Sequence, residues 1–241
     1  MMKAVVLVDK TNMEVQEVAK PSPKAVPASE CAKIPEGINM DVAAAVTTEA
    51  LTALQAMRDK GRLSKGKSIL IIAAGGGVGT QAVQIAKVLK AGSVHAVCST
   101  KDVSSATKLG ADLVIDRTNK DITKALDAAS YDVIFDTTGK YSLMKMRYAM
   151  KKGGTFVSTI PNITDYPPFS WIVGIATGKH SKSLMVKCNR QDLELVGEWM
   201  KAGMTVPIDS VYDIKDIDDA RECQESGKKS GRVVIKVADG W

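Results

Sequence analysis

Residues 67–90, KSILIIAAGGGVGTQAVQIAKVLK, constrain the fold of this chain more than any other stretch. Positions 69–72 are an unbroken run of isoleucine and leucine, the composition of a strand covered on both faces. Positions 73–79 follow as a glycine-rich turn, and Thr80 is expected to open a helix. In that helix Ala82, Ile85, Ala86 and Leu89 fall at i, i+3, i+4 and i+7, so one face is apolar. Strand, glycine turn and helix in this order gather backbone N–H groups and a positive helix end at one point, which makes a phosphate site. The spacing is Ala74-x-Gly76-x-x-Gly79, a dinucleotide fingerprint with alanine for its first glycine. The competing interpretation is a tight strand-to-helix turn that holds no ligand. No Gly-Lys-Ser/Thr follows the glycines, which argues against an ATP loop of the Walker type.

The alternation continues downstream. Strands are expected at 93–98, 112–115, 131–136, 155–160 and 183–187, with helices at 104–109, 121–129, 143–150 and 191–202. The Gly153-Gly154 pair is expected to stop the third of these helices. Residues 162–178 read as a loop with one helical turn, and the tail as strand 211–214, helix 217–226 and strand 232–237. Strands alternating with helices at this pitch predict an α/β fold, a doubly wound parallel sheet with helices on both faces. At the front, 3–8 and 13–18 read as short strands, followed by a stiff connector containing Pro21, Pro23 and Pro27. Asp41 is a candidate N-cap for a helix over 42–60 that Thr47-Thr48 divides and Gly61 ends. The expected organisation is an N-terminal hairpin and connector (1–40), a dinucleotide-binding domain (41–208) and a C-terminal strand-helix-strand (209–241). The terminal strands together would make a small β subdomain.

Composition excludes several classes. Of 241 residues, 45% are hydrophobic and 25% charged, which suits a globular protein with a real core. Charged residues interrupt every apolar run, so no membrane span is expected. The opening MMKAVVLVDK is too short in apolar residues for a signal peptide. Cys31, Cys98, Cys188 and Cys223 form no CxxC pair, so free thiols and a cytoplasmic location are expected. The net charge of +6 has two accounts, a solvated basic surface or attraction of an anionic cofactor. Aromatic residues do not interleave with basic ones, so neither nucleic acid nor membrane is an expected partner. His95 reads as a packed core residue and His180 as an exposed loop residue. Neither stands at metal-ligand spacing from a cysteine, so no metal is expected.

Five stretches in order, PEGINMDVAAAVTTEALTALQAM, AAGGGVGTQAVQIAK, CSTKD with KLGADLVID, YDVIFDTTG and GRVVIKV, resemble the medium-chain dehydrogenase/reductase superfamily. The likeness is to its zinc-independent quinone oxidoreductase-like branch, and it spans nearly all of residues 26–237. Members of that family open with a GroES-like catalytic domain. Here PSPKA runs directly into VPASE, where the body of that domain would lie, so most of it is expected to be missing.

A dinucleotide site selecting NAD carries a carboxylate about 20 residues past the glycine turn. This chain has Ser99-Thr100-Lys101 there, two hydroxyls and an ammonium that suit a 2′-phosphate, and Arg117 adds a guanidinium. NADP(H) is therefore the expected cofactor. The resemblance implies that Gly76, Gly77, Val78 and Gly79 cradle the pyrophosphate. It further implies that Asp136, Thr137, Thr138 and Gly139 wall the ribose, that Thr52 approaches the nicotinamide, and that Ser158 and Ile160 flank it, with Pro161 beyond. Cys98 reads as a core thiol. No catalytic side chain is identified. The implied activity is NADPH-dependent hydride delivery to a quinone, reactive carbonyl or conjugated enone through an open pocket. The alternative is a non-catalytic NADP(H)-binding or partner-binding protein. Family members pair through an edge strand, so a homodimer is expected.

Overall fold

The apolar run at Ile69 lies at the middle of a six-stranded sheet. In the computed structural model, which describes residues 2–7, 13–18, 26–119, 121–160 and 166–237, it forms strand β3 (Ser68–Ile72). To number from the chain start, β1 is Met2–Leu7, β2 is Met13–Val18 and α1 is Met40–Gln55. After β3 come α2 (Gly77–Val88), β4 (Ser93–Cys98), α3 (Val103–Lys108), β5 (Leu113–Asp116), α4 (Ile122–Ala125) and β6 (Tyr131–Asp136). Then follow α5 (Leu143–Met146), β7 (Met150–Ser158), α6 (Phe169–Thr177), β8 (His180–Ser183) and α7 (Arg190–Lys201). The chain closes with β9 (Ile208–Asp213), α8 (Ile217–Glu225) and β10 (Arg232–Lys236).

The described residues group into two units, Met1–Thr47 with Cys188–Trp241 and Thr48–Lys187. In the second unit the sheet order is β5-β4-β3-β6-β7-β8, and every pairing is parallel. The chain builds outward from β3 to β5 and then returns to place β6 on the other side of β3. Such a reversal opens a crevice outside the carboxyl ends of the strands, where sheets of this class bind ligands. Burial explains why β3 is central. Leu70 and Ile72 join Val97, Ile134, Leu143, Met146 and Phe156 in one core cluster. Ile69 and Ile71, which alternate with them, are equally buried. Each such side chain contributes about 1.5–3 kcal/mol over its exposed state.

The first unit holds β1 and β2 as an antiparallel pair and β9 and β10 as a parallel pair, two separate small sheets. Its α7 is capped by Asn189, whose Oδ1 accepts from the Asp192 amide at 2.8 Å. Pro35 packs so close to α7 that a Cβ at Gly197 would stand 2.8 Å from its Cγ. No helix among the described residues is long and apolar enough to cross a membrane.

Several local expectations are corrected. Helix α2 starts at Gly77 rather than Thr80, because packing on the sheet outweighs the roughly 1 kcal/mol helix penalty of glycine. Asn39 caps α1 in place of Asp41, its Oδ1 accepting from the Val42 amide at 2.9 Å. The helix runs unbroken past Thr47-Thr48 and ends in a π turn at Ala56–Lys60. Helix α4 is a single turn, and α5 gives way to a 3-10 turn at Arg147–Ala149. The Gly153-Gly154 pair lies inside β7, where the register against β6 shifts between Tyr131 and Val133. It therefore marks a strand irregularity and stops no helix. A full helix, α6, replaces most of the expected loop at 162–178. Its sequence FSWIVGIAT is apolar almost throughout, so no 3.6-residue pattern betrays it. Strand β8 is the polar HSKS, not the apolar stretch 183–187, because its partner β7 meets it at Thr155–Ser158. His180 is exposed but belongs to this strand. Pro21, Pro23 and Pro161 lie outside the described residues.

Candidate functional site at the carboxyl edge of the sheet

The turn after β3 is built by close approach. Ala73 takes a left-handed φ of 65°, and the Ala74 amide donates to the Val97 carbonyl at 2.9 Å, tying the turn to β4. A Cβ on Gly79 would stand 2.2 Å from the Ala73 oxygen and 2.6 Å from the Ala74 Cα. On Gly75 it would meet the Asp102 carboxyl group at 2.4 Å. Both glycines let the protein close upon itself. Gly76 differs, since a Cβ there meets nothing nearer than the Ala73 oxygen at 3.5 Å, an ordinary contact. It stands at the N-cap of α2 with extended backbone, and the amides of Gly77, Val78 and Gly79 behind it have no intrahelical acceptor. An open cradle at the positive end of a 12-residue helix fits a pyrophosphate.

The loops after β4 and β5 depart from expectation. Ser99 Oγ donates to Asp102 Oδ2 at 2.6 Å, and Thr100 Oγ1 donates to Asp116 Oδ2 at 2.6 Å. The two hydroxyls expected to face a phosphate are thus already committed to carboxylates. The Thr100 hydroxyl, and after it the Thr118 amide at 2.8 Å, hold the Asp116 carboxyl below its ordinary range, so it is an anion at neutral pH. Asp102 is buried, whereas Lys101 and Arg117 are exposed. The Arg117 amide donates to the Cys98 carbonyl at 2.9 Å, which brings the β5 loop to the end of β4. Cys98 records this cluster. Burial first, then Asp102 and Asp116, push its thiol up to about 11, with Arg117 opposing. Asp102 and Asp116 were missed because sequence offers no sign of what Ser99 and Thr100 touch. That Asp116 sits next to Arg117 was the available hint.

The loops after β6 and β7 lock together. Asp136 is completely buried, and its Oδ1 accepts from the Thr138 amide at 2.8 Å and the Thr138 hydroxyl at 2.7 Å. Its Oδ2 accepts from the Tyr141 amide at 3.0 Å. Asp136 thus shapes the loop from below and presents no atom at the surface. The Thr137 hydroxyl donates to the Ile72 carbonyl at 3.0 Å, joining this loop to the end of β3. Gly139, at φ 68°, lies so near Ile160 that a Cβ would be 2.6 Å from the Ile160 Cβ. Ser158 Oγ donates to the Ile160 carbonyl at 2.9 Å, and Thr159 Oγ1 donates to the Thr137 carbonyl at 3.2 Å. Thr159 is therefore a further member of the seam. Thr52, in contrast, is buried in α1 and donates its hydroxyl back to the Thr48 carbonyl at 2.6 Å.

His95 is half-buried on β4 with Nδ1 2.8 Å from the Tyr131 hydroxyl, and burial lowers its pKa. Among the described residues, no group of three or more His, Cys, Asp and Glu is arranged to hold a metal ion.

Residues 109–235 match the family model described as zinc-binding dehydrogenase. The chain is 28% identical over 229 residues to a trans-enoyl reductase of Aspergillus terreus, covering 89% of this chain and 64% of the relative. It is 31% identical over 213 residues to an NAD-dependent alcohol dehydrogenase of Sulfolobus acidocaldarius, covering 83% and 59%. The quinone oxidoreductase from Coxiella burnetii has the same fold, with a TM-score of 0.73 at 24% identity over 86% of this chain and 63% of that one. The chain spans about six tenths of the length of these relatives. The matched model covers more than half of the residues, and the six-stranded parallel sheet agrees with it. This chain belongs to the zinc-binding dehydrogenase family of the medium-chain dehydrogenase/reductase superfamily.

Proposed function

We propose that the carboxyl edge of the sheet binds a nicotinamide dinucleotide and that the protein is an oxidoreductase. The observation that carries this is the contrast at the glycine turn. Gly75 and Gly79 are filled by the protein itself, while Gly76 stays open at the N-terminus of α2. The names of the trans-enoyl reductase and alcohol dehydrogenase relatives support the same reaction class. When bound, the dinucleotide would supply the hydride. The residues of this chain would hold it: Gly76 and the first turn of α2 the pyrophosphate, Thr137 to Gly139 and Ser158 to Ile160 the ribose and nicotinamide half. We assign NADP(H) as the cofactor, because Lys101 and Arg117 are the exposed cations of the ribose loops. NAD(H) is the second reading, carried by the Asp116 carboxylate, which would oppose a 2′-phosphate. The acceptor would be a quinone, reactive carbonyl or conjugated enone.

Fluorescence titration with NADPH and NADH tests the site and the choice together. Lys101→Ala with Arg117→Ala should weaken NADPH about tenfold, the worth of one or two charge-assisted contacts, and leave NADH unchanged. Tighter NADH binding by the unaltered protein would assign the site to NAD(H). Gly77→Asp should abolish binding of both, and retained binding would refute the site. NADPH oxidation that does not rise when quinones, aldehydes or enones are added would leave the non-catalytic binding alternative.

We also propose that two copies pair along β8. This edge strand lies beside a groove of about 600 Å³ lined by Trp171, Ile175, His180 and Lys182. Trp171 and Ile175 are 67% and 88% exposed, an apolar surface that a second copy would cover. Sedimentation velocity should give a dimer that Ile175→Glu converts to monomer. A monomeric unaltered protein would refute the pairing.

A further inference from the structure

In the first unit the Cys188 thiol lies against the backbone next to Cys31, although the two cysteines are far apart in sequence. Cys188 Sγ donates to the Glu30 carbonyl at 3.2 Å, across 158 positions of chain, and Cys31 is the next residue. A carbonyl oxygen stands about 2.8 Å from the following Cα, so the Cys188 sulfur lies within about 6 Å of the Cys31 Cα. A disulfide needs the two Cα atoms within about 7 Å of each other, so side-chain rotation with a small approach of the two segments would close the bond. Both thiols are free and exposed. The other two are placed differently, Cys98 being buried and Cys223 partly covered beside Ser210 and Asp209. A cation is also at hand. Arg190 opens α7 two residues after Cys188, and its charged form is favoured first by its bond to Glu194 and further by Cys31. Its charge lies two residues from the Cys188 thiol in sequence, and a nearby cation favours the thiolate that takes part in thiol exchange.

We propose that Cys31 and Cys188 form a reversible intramolecular disulfide, with a peroxide as oxidant. The Cys31 thiolate attacks one oxygen of hydrogen peroxide, the O–O bond breaks, and hydroxide leaves a sulfenic acid on Cys31. The Cys188 thiolate then attacks that sulfur, forming the S–S bond as the S–O bond breaks and a second hydroxide leaves. The two thiol protons convert both hydroxides to water. Two thiols have lost two electrons and one peroxide has gained them. The bond would enclose all of Thr48–Lys187 in a covalent loop, because Cys188 directly follows that unit in the chain.

The experiment is peroxide treatment of the fully reduced full-length chain, followed by alkylation and non-reducing peptide mapping. The expected product is a Cys31–Cys188 linked peptide, two hydrogens lighter than the separate peptides and lost on reduction. Closing so long a loop should raise the unfolding midpoint by about 5–10 °C. Cys31→Ser and Cys188→Ser should each abolish both effects. Dibromobimane, which becomes fluorescent when it bridges neighbouring thiols, should label the reduced protein and neither variant. Linkage only to Cys98 or Cys223, linkage only between chains, or no bimane bridge would overturn the proposal.

Discussion

Gly79→Ala should destabilise the protein by about 3 kcal/mol, the upper range for a buried overpacking change. The obstacle is backbone, since the added methyl would lie 2.2 Å from the Ala73 oxygen and 2.6 Å from the Ala74 Cα. No rotamer change can relieve that. Helix α2 must instead lift from the turn, which separates Ala82, Ile85 and Ala86 from the sheet they are buried against. Gly76→Ala is the matched control, because its methyl meets nothing nearer than 3.5 Å. It should cost under about 1 kcal/mol, as expected of an alanine at an N-cap. It should nevertheless weaken nucleotide binding, because the methyl occupies the open side of the cradle. Chemical denaturation paired with nucleotide titration separates the two effects. A Gly79→Ala protein as stable as the parent would show that α2 does not rest on the turn. A Gly76→Ala protein that binds normally would show that the open side is not where the phosphates lie.

The second large effect is expected at Asp136. Asp136→Ala should destabilise the protein by about 3 kcal/mol or more, because three donors lose one fully buried carboxylate. The Thr138 amide, the Thr138 hydroxyl and the Tyr141 amide have their acceptor in this one group. Asp136→Asn should cost less, since an amide keeps one oxygen for Thr138 but turns an NH2 group toward the Tyr141 amide. The consequence would reach the candidate site. Releasing the Thr137–Gly139 loop would free Gly139 from Ile160, so nucleotide affinity should fall along with stability. Amide hydrogen exchange at Thr138 and Tyr141 gives the direct measurement. If those amides stay protected in Asp136→Ala, the carboxylate does not hold the loop.

Both sites were named from sequence, but their roles were legible to different degrees. The glycine turn was readable because its chemistry is local. An apolar run, closely spaced glycines and an amphipathic helix occur within 24 consecutive residues. Asp136 was placed correctly at the end of its strand, yet nothing in YDVIFDTTG tells whether its carboxylate faces a ligand or the loop beneath. Helix α6 escaped notice for another reason. A segment apolar on nearly every side has no period to detect, whether it ends up buried or, as here, with Trp171 and Ile175 exposed.

Apart from α6 and the polar β8, the order of strands and helices, the parallel sheet and the position of the glycine turn were legible in one dimension. These follow from short-range patterns, two-residue and 3.6-residue periods punctuated by glycine. The electrostatics around that turn arise from the folded arrangement. Thr100 and Asp116 lie 16 positions apart, and Ser99 turns to Asp102 rather than outward. Their pairing depends on β4 and β5 lying side by side in register, so hydroxyls that read as phosphate ligands in one dimension become donors to carboxylates in three. The same holds for Cys31 and Cys188, which no local pattern connects. The fold sets the Cys188 thiol against the backbone next to Cys31, because the segment around Glu30 packs against the start of α7.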